Sequence, residues 1–269
     1  MSEKMKKILI LVLVFTCFML ASCNDTPPLL DNAYAMSLLE SADAEFAKAP
    51  RTVEISRKFS SDNKLIHDRL AGMNMELPMV IDGENLSIST TRETQGQIDL
   101  TYIDIMIVDD VIYLKVSNFM GKSRVKATIS EEQYQELMEE SNGNMIAAPE
   151  DFGELVVKNE GEKKHISCDN ISAKKLESLN NAMGEMLDDI LGNMKYESSV
   201  AEVTFDIILN QGRYERIDML NVYSIVMGGQ RYRLTMEFSA EISYDYVAPI
   251  IAPSDADEYR EISFDEFLN

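Results

Sequence analysis

Sixteen consecutive residues near the end of the chain, 231–246, alternate strictly between polar and apolar side chains. This period of two is typical of a β-strand with one face in solvent and the other in the core. At roughly 3.3 Å per residue the strand would be about 50 Å long, whereas a typical strand has only about five or six residues. It therefore predicts a large, twisted antiparallel sheet whose apolar face is covered by other elements. The apolar members of the segment are Tyr232, Leu234, Met236, Phe238, Ala240, Ile242, Tyr244 and Tyr246.

Several other segments have strand patterns with turn residues between them. Residues 203–209 and 217–225 alternate in the same way and predict two further strands that lead into the long one. Asp109-Asp110 separates two apolar segments, 98–108 and 111–117, and predicts a hairpin. A second hairpin is predicted within 155–167, about Glu160-Gly161.

Three segments have helical patterns. Residues 33–47 place apolar side chains at helical spacing before Pro50, and Ser172 precedes a longer apolar stripe that Gly192 closes. Ser130 and Gln133 have the spacing of a capping box, which predicts a short helix after them. With the strands, these helices indicate an α+β fold in which the helices cover the apolar face of the sheet.

The N-terminus has the layout of a lipoprotein signal. Three lysines are followed by an apolar run from Ile8 to Leu20 and then by Ala21-Ser22-Cys23, so small residues stand directly before a cysteine. This resembles the lipobox of bacterial lipoproteins, in which the cysteine thiol is acylated and the chain is cut just before it. We expect residues 1–22 to be the signal, Cys23 to carry the lipid and 23–32 to form a tether.

Two other interpretations of this N-terminus remain open. A transmembrane anchor is one, although the run of about 13 apolar residues is shorter than the roughly 20 that a bilayer core requires. The other is a plain secretory signal in which Cys23 has no special role. Lipid attachment would place the protein on the extracytoplasmic face of the cell membrane, held there by its acyl chains.

Charge and cysteine content limit the possible partners. The chain has a net charge of −21, and removal of residues 1–22 would leave 247 residues with a charge of −23. Such a polyanion is repelled by nucleic acids and by anionic lipid headgroups, so we expect no nucleic-acid partner. After cleavage and acylation Cys168 would be the one free thiol, which excludes an intrachain disulfide; we expect it to have a packing role.

The sequence shows no constellation of catalytic residues. His67 and His165 are the only histidines and stand in no motif, so we expect neither a histidine-rich metal site nor a catalytic triad. Residues 121–123, Gly-Lys-Ser, lack the first glycine of a phosphate-binding loop. The acidic residues within 254–269 lack the glycine and spacing of a calcium loop, and we expect a solvated tail there. The prediction is a protein without enzymatic activity, cofactor or metal.

Methionines supply the candidate ligand-binding surface. The segment 73–81 has the strand pattern and would place Met73, Met75 and Met79 on one face, and Pro78 within it suggests an edge strand or a bulge. Met183 and Met186 lie on the predicted helix that would cover the sheet. Because methionine is flexible and polarizable, these five could line a cavity that adapts to apolar ligands, although ordinary core packing explains each of them singly.

The order of these elements resembles a known superfamily. A lipobox, an N-terminal helix, antiparallel strands and a second helix precede three long strands, of which the last is Tyr-rich and is followed by Pro249-Ile250-Ile251-Ala252-Pro253. This is similar to the superfamily of periplasmic lipoprotein carriers and mycobacterial lipid-binding lipoproteins, with related Gram-positive surface lipoproteins. The resemblance implies one domain over 33–253, with a curved antiparallel sheet that forms an open half-barrel around a few helices.

Two functions fit this organisation. The first is a membrane-anchored lipoprotein that binds a lipid or another hydrophobic ligand non-covalently between sheet and helices. The second is a structural or interaction lipoprotein whose interior is filled by its own side chains and which presents its acidic outer face to a protein partner that the sequence does not identify. An apolar cavity of several hundred cubic ångströms would favour the first.

Overall fold

The computed structural model shows an α+β protein with one large, open antiparallel sheet. The residues that it describes are 30–46, 48–83, 85–93, 100–118, 121–130, 132–133, 153–168, 171–192 and 194–268. Four helices have their bounds within these residues: α1 (Leu30–Phe46), α2 (Lys64–Leu70), α3 (Ala173–Leu191) and α4 (Phe264–Leu268). The strands are β1 (Arg51–Ser61), β2 (Met75–Asp82), β3 (Asn85–Glu93), β4 (Leu100–Val108), β5 (Val111–Asn118), β6 (Gly121–Thr128), β7 (Val156–Glu160), β8 (Lys163–Cys168), β9 (Tyr196–Asn210), β10 (Arg213–Met227), β11 (Gln230–Ser243) and β12 (Arg260–Glu261).

All twelve strands belong to one sheet, in the order β12-β6-β5-β4-β3-β2-β1-β11-β10-β9-β8-β7. Neighbours are antiparallel except at one edge, where the short β12 pairs parallel to β6. The other edge is β7, so the sheet is not closed. Pairing of β1 with both β2 and β11 joins the early hairpins to the three long strands.

The predicted long strands are confirmed. Strands β9 and β10 have 15 residues each and β11 has 14. The last one ends at Ser243, slightly earlier than the alternation does, and Tyr246 beyond it is almost fully exposed. Leu234, Phe238, Ala240 and Ile242 are buried, as expected for one face of a strand.

The predicted turns are also observed. Asp109 and Asp110, both at positive φ, connect β4 to β5, and β7 and β8 form the hairpin expected near Gly161. The prediction that Pro78 marks an edge or a bulge was wrong, since β2 is an interior strand. Strand β2 pairs with β3 only from Met79 onward. On that side Pro78, which has no backbone N–H, therefore faces no paired residue to which a hydrogen bond would be missing.

The helix boundaries follow the predicted signals. The Ser172 hydroxyl accepts a hydrogen bond from the Lys175 N–H at 3.2 Å, and α3 ends before Gly192, which has a φ of 61°. Ser130 and Gln133 bond each other's backbone N–H at 3.1 and 2.9 Å, which is the reciprocal capping box. The helix expected after Gln133 lies outside the described residues, as do the signal and Cys23.

Helices cover one face of the sheet, which we call the inner face, in two groups. The α1 cluster joins α1, through residues such as Leu39 and Phe46, to inward side chains of β1–β5 and β8–β11. The α3 cluster joins Met183 and Leu187 of α3 and Ile66 of α2 to β1, β10 and β11. No helix in the described part of the chain is long and apolar enough to span a membrane.

The first and last segments of the folded domain differ from the expected domain boundaries. Helix α1 begins at Leu30, inside the expected tether, and the Asn32 side chain bonds Gly153 and Leu155. The prediction of a solvated tail over 254–269 was wrong. This segment packs on the outer face through Tyr259, adds β12 beyond β6 and brings Phe264 and Phe267 of α4 into the α1 cluster. The acidic side chains stay at the surface while the aromatic ones between them are buried.

Candidate functional site

The inner face of the sheet is where the structure places the predicted ligand-binding methionines, but it divides them between the two clusters. Met75 and Met79 belong to the α1 cluster, whereas Met183 and Met186 of α3 belong to the α3 cluster. Met73 lies in a 3₁₀ turn before β2, and not on the strand, so it packs with the α3 cluster as well. The five side chains therefore do not form a single lining.

Between the two clusters lies a band of inward-facing residues that the helices cover incompletely. We call this band the seam. One cross-strand row runs through Arg57, Phe238, Met219 and Phe205, and the next through Phe59, Met236, Asn221 and Val203. The large apolar side chains that face inward here and are still partly exposed are Met75, Phe205, Met219 and Met236.

Sequence reasoning identified Met75 but missed the other three partly exposed apolar residues of the seam. Phe205, Met219 and Met236 were assigned to strands by their alternation, and nothing in the alternation separates them from the fully covered positions beside them. A signal was available in the two methionines, because Met219 and Met236 satisfy the same argument that selected Met75.

Arg57 lies at the edge of the seam and is buried. Its Nη2 donates a hydrogen bond to the Met73 carbonyl at 3.0 Å, and its guanidinium carbon is 5.2 Å from the centre of the Phe59 ring. Burial lowers the pKa of Arg57 to about 10, so the group is still charged at neutral pH. A second buried arginine, Arg51, packs 3.7 Å over the Phe46 ring at the other end of β1. The period-two pattern of β1 did not predict either arginine as an inward residue.

Asn221 is the most unusual residue of the seam. Its side chain has 0 % exposure, yet within the described part of the chain neither its amide nitrogen nor its amide oxygen has a hydrogen-bond partner. Tyr223, two residues along the same face, has its pKa raised to about 12 by burial, and the nearby amide opposes that shift. The two side chains nevertheless do not meet the distance and angle of a hydrogen bond, and proximity alone is enough for one polar group to shift the pKa of another. A buried, unsatisfied polar group is uncommon and calls for an explanation.

An open depression lies at the rim of the α3 cluster, between the end of α3 and the β10–β11 turn. Its volume is about 760 Å³, and its lining is mixed in polarity: Gly184, Asp188, Met194, Lys195, Tyr196, Glu197, Ser198, Val226 and Gly229. The Tyr196 hydroxyl, which has one proton to donate, lies 2.8 Å from the Gly184 carbonyl oxygen and 2.7 Å from the Asp188 carboxylate. Burial, and then this carboxylate, raise the pKa of Tyr196 to about 12. This is not the apolar cavity that the sequence predicts.

The structure also shows what the other residues considered in the sequence analysis contact. Cys168 is buried in the α1 cluster, and His165 lies 3.3 Å from the Glu160 carboxylate. Arg124 pairs with Asp255 at 3.1 Å and with Glu258. Among the residues that the structure describes, no group of three or more His, Cys, Asp or Glu side chains is placed to hold a metal ion.

The seam is thus the candidate site that combines apolar surface with an unsatisfied polar group. No model of a known protein family matches the chain, and no curated protein matches it either.

Proposed function

We propose that this protein is an extracytoplasmic lipoprotein that binds a lipid or another hydrophobic ligand non-covalently at the seam. The observation that carries the proposal is the incomplete cover of Phe205, Met219 and Met236, which face the helix-covered side of the sheet but stay partly exposed. Apolar area exposed within an otherwise packed face costs about 25 cal/mol per Å². An acyl chain between α1 and α3 would remove that cost.

The shape of the fold supports such a site. Strands β9, β10 and β11 are long enough for their twist to accumulate into a curved sheet, and we propose that this sheet forms a half-barrel around α1 and α3. The two helices reach the sheet at different strands, α1 mainly at β10 and β7 and α3 at β9. A ligand could then enter by a small separation of two elements that do not share one cluster.

The anchor is proposed from the sequence. Cys23 follows an apolar run and small residues, and acylation there would hold a chain that is too acidic to dock electrostatically on anionic lipid. Only six residues separate Cys23 from the start of α1 at Leu30. The folded domain would therefore stay close to the membrane from which a ligand could come.

A filled interior is the alternative, and one observation favours it. The two clusters contain side chains with no exposure at all, among them Ile66, Leu187 and Ile225, and the open depression has a mixed lining. A structural or interaction lipoprotein would need nothing more. The partly exposed seam and the unpaired Asn221 amide are what this alternative leaves unexplained.

Lipid analysis of the full-length protein tests the proposal. The protein is purified from membranes in detergent, intact mass reports covalent acylation, and solvent extraction followed by mass spectrometry reports non-covalent lipid. We expect acylated Cys23 together with a bound hydrophobic molecule near one per chain. The variant Cys23→Ser should lose the acyl mass and the membrane association. Acylated protein that repeatedly yields no bound molecule above a matched detergent blank would instead support the filled interior.

A further inference from the structure

The unpaired amide of Asn221 points to the polar chemistry of the ligand. Asn221 interrupts the inward apolar residues of β10, where Ile217, Met219, Tyr223 and Ile225 occupy the equivalent positions. A buried amide without partners is destabilising, and a leucine at this position would avoid that loss. An asparagine here therefore lowers the stability of the ligand-free protein, and a bound ligand that pairs with the amide would offset that loss.

The location of Asn221 defines where that partner would lie. Its strand neighbours are Met236 on β11 and Val203 on β9, and Met219 lies two residues before it on the same face. Met219 and Met236 are two of the three partly exposed methionines of the seam. The amide thus lies within the apolar band that an acyl chain would occupy, and not in the open depression, whose lining it does not share.

We infer that Asn221 recognises an uncharged ligand group that both accepts and donates a hydrogen bond, such as an amide, at the end of an acyl chain. This inference rests on the proposed function. The Asn221 amide offers two N–H donors and one acceptor oxygen, so a matching group must supply an acceptor for the nitrogen and a donor for the oxygen. A bare hydrocarbon supplies neither, and a fatty-acid anion supplies only acceptors.

Three probes with the same chain separate these possibilities: oleamide, octadecene and oleate. Each is added at equal mole fraction in detergent to the delipidated full-length protein, and the midpoint of thermal unfolding is followed by circular dichroism. A ligand that binds the folded state raises this midpoint by an amount that grows with the logarithm of its affinity. We expect oleamide to bind roughly tenfold more tightly than octadecene, which corresponds to an additional rise of about 3 °C.

Asn221→Leu is the variant that assigns the preference. It should raise the midpoint of the ligand-free protein, because it removes the unpaired amide, and it should make oleamide and octadecene equivalent. Asn180→Leu is the matched control. The Asn180 oxygen already accepts a hydrogen bond from the Val200 N–H at 2.7 Å, so this change should lower stability but keep the oleamide preference.

The outcomes separate this inference from the proposed function. Equal binding of oleamide and octadecene by the unsubstituted protein, or an oleamide preference that survives Asn221→Leu, would overturn the role of Asn221 while ligand binding stands. Tighter binding of oleate would assign recognition to the Arg57 cation and would also overturn it. If none of the probes shifts the midpoint, the proposed function fails together with this inference. Even if the leucine variant does not fold, an unsubstituted protein without an oleamide preference overturns the inference.

Discussion

At the scale of single residues, buried tyrosines connect the helices to the sheet. The Tyr214 hydroxyl on β10 donates to the Asp43 carboxylate of α1 at 2.7 Å, and burial, followed by that carboxylate, raises the pKa of Tyr214 well above its usual value. Burial likewise raises the pKa of Tyr223 and of Tyr244 to about 12. These phenols must stay protonated in the folded protein.

This requirement predicts a loss of stability at alkaline pH. In the unfolded chain a tyrosine ionises near pH 10, whereas Tyr223 in the folded protein ionises near 12. The contribution of Tyr223 is therefore fully present below about pH 10 and falls as the pH rises towards 12, by roughly 2–3 kcal/mol. Chemical denaturation over this range should show that Tyr223→Phe reduces the fall. The control is Tyr246→Phe, at a side chain with 90 % exposure. An alkaline slope that is the same in the protein and in Tyr223→Phe would contradict the assignment.

The sequence predicts which residues face inward but not which of them the helices cover. The alternation places Met219, Asn221 and Met236 on defined positions of their strands, and Asn221 interrupts the apolar positions of its own strand. Whether such a position is covered depends on where α1 and α3 cross the sheet. That crossing is set by packing between elements distant in the chain, which a local pattern does not contain.

At the scale of elements, the C-terminal segment is the clearest departure from expectation. It crosses the β6 edge of the sheet, with Tyr259 packed edge-to-face on Tyr113 at 5.4 Å outside and Phe264 and Phe267 inside. Arg124 holds the crossing point through two carboxylates. The net acidity of this segment predicts solvation, whereas the three-residue spacing of Phe264 and Phe267 is typical of one face of a helix.

Removing one of these phenylalanines should destabilise the whole domain. Phe267→Ala deletes a buried ring from the α1 cluster and should lower the free energy of unfolding by about 3–5 kcal/mol. Urea denaturation measures this as a lower midpoint with an unchanged slope. The control is Glu261→Ala, at an exposed position in the same segment, which should stay within about 0.5 kcal/mol. Similar small effects for both changes would mean that α4 does not belong to the core.

At the scale of the whole molecule, the fold combines local hairpins with one distant pairing. The hairpins β4–β5 and β7–β8 and the three long strands follow from local sequence. The pairing of β1 with β11 does not follow from local sequence, because the paired residues Val53 and Ile242 lie far apart in the chain. Periodicity predicts that a strand exists but not which strand lies beside it. This pairing creates the continuous inner face on which both clusters, and the seam between them, depend.

Photo-crosslinking tests the central claim, that the seam binds an acyl chain, most directly. The full-length protein in detergent is incubated with an oleamide analogue that carries a diazirine in mid-chain, irradiated and digested, and the labelled residues are identified by mass spectrometry. We predict labelling of Phe205, Met219 and Met236 that unlabelled oleamide prevents. Labelling confined to exposed apolar side chains such as Leu65, Val156 and Ile251, with the seam unlabelled, would contradict the account.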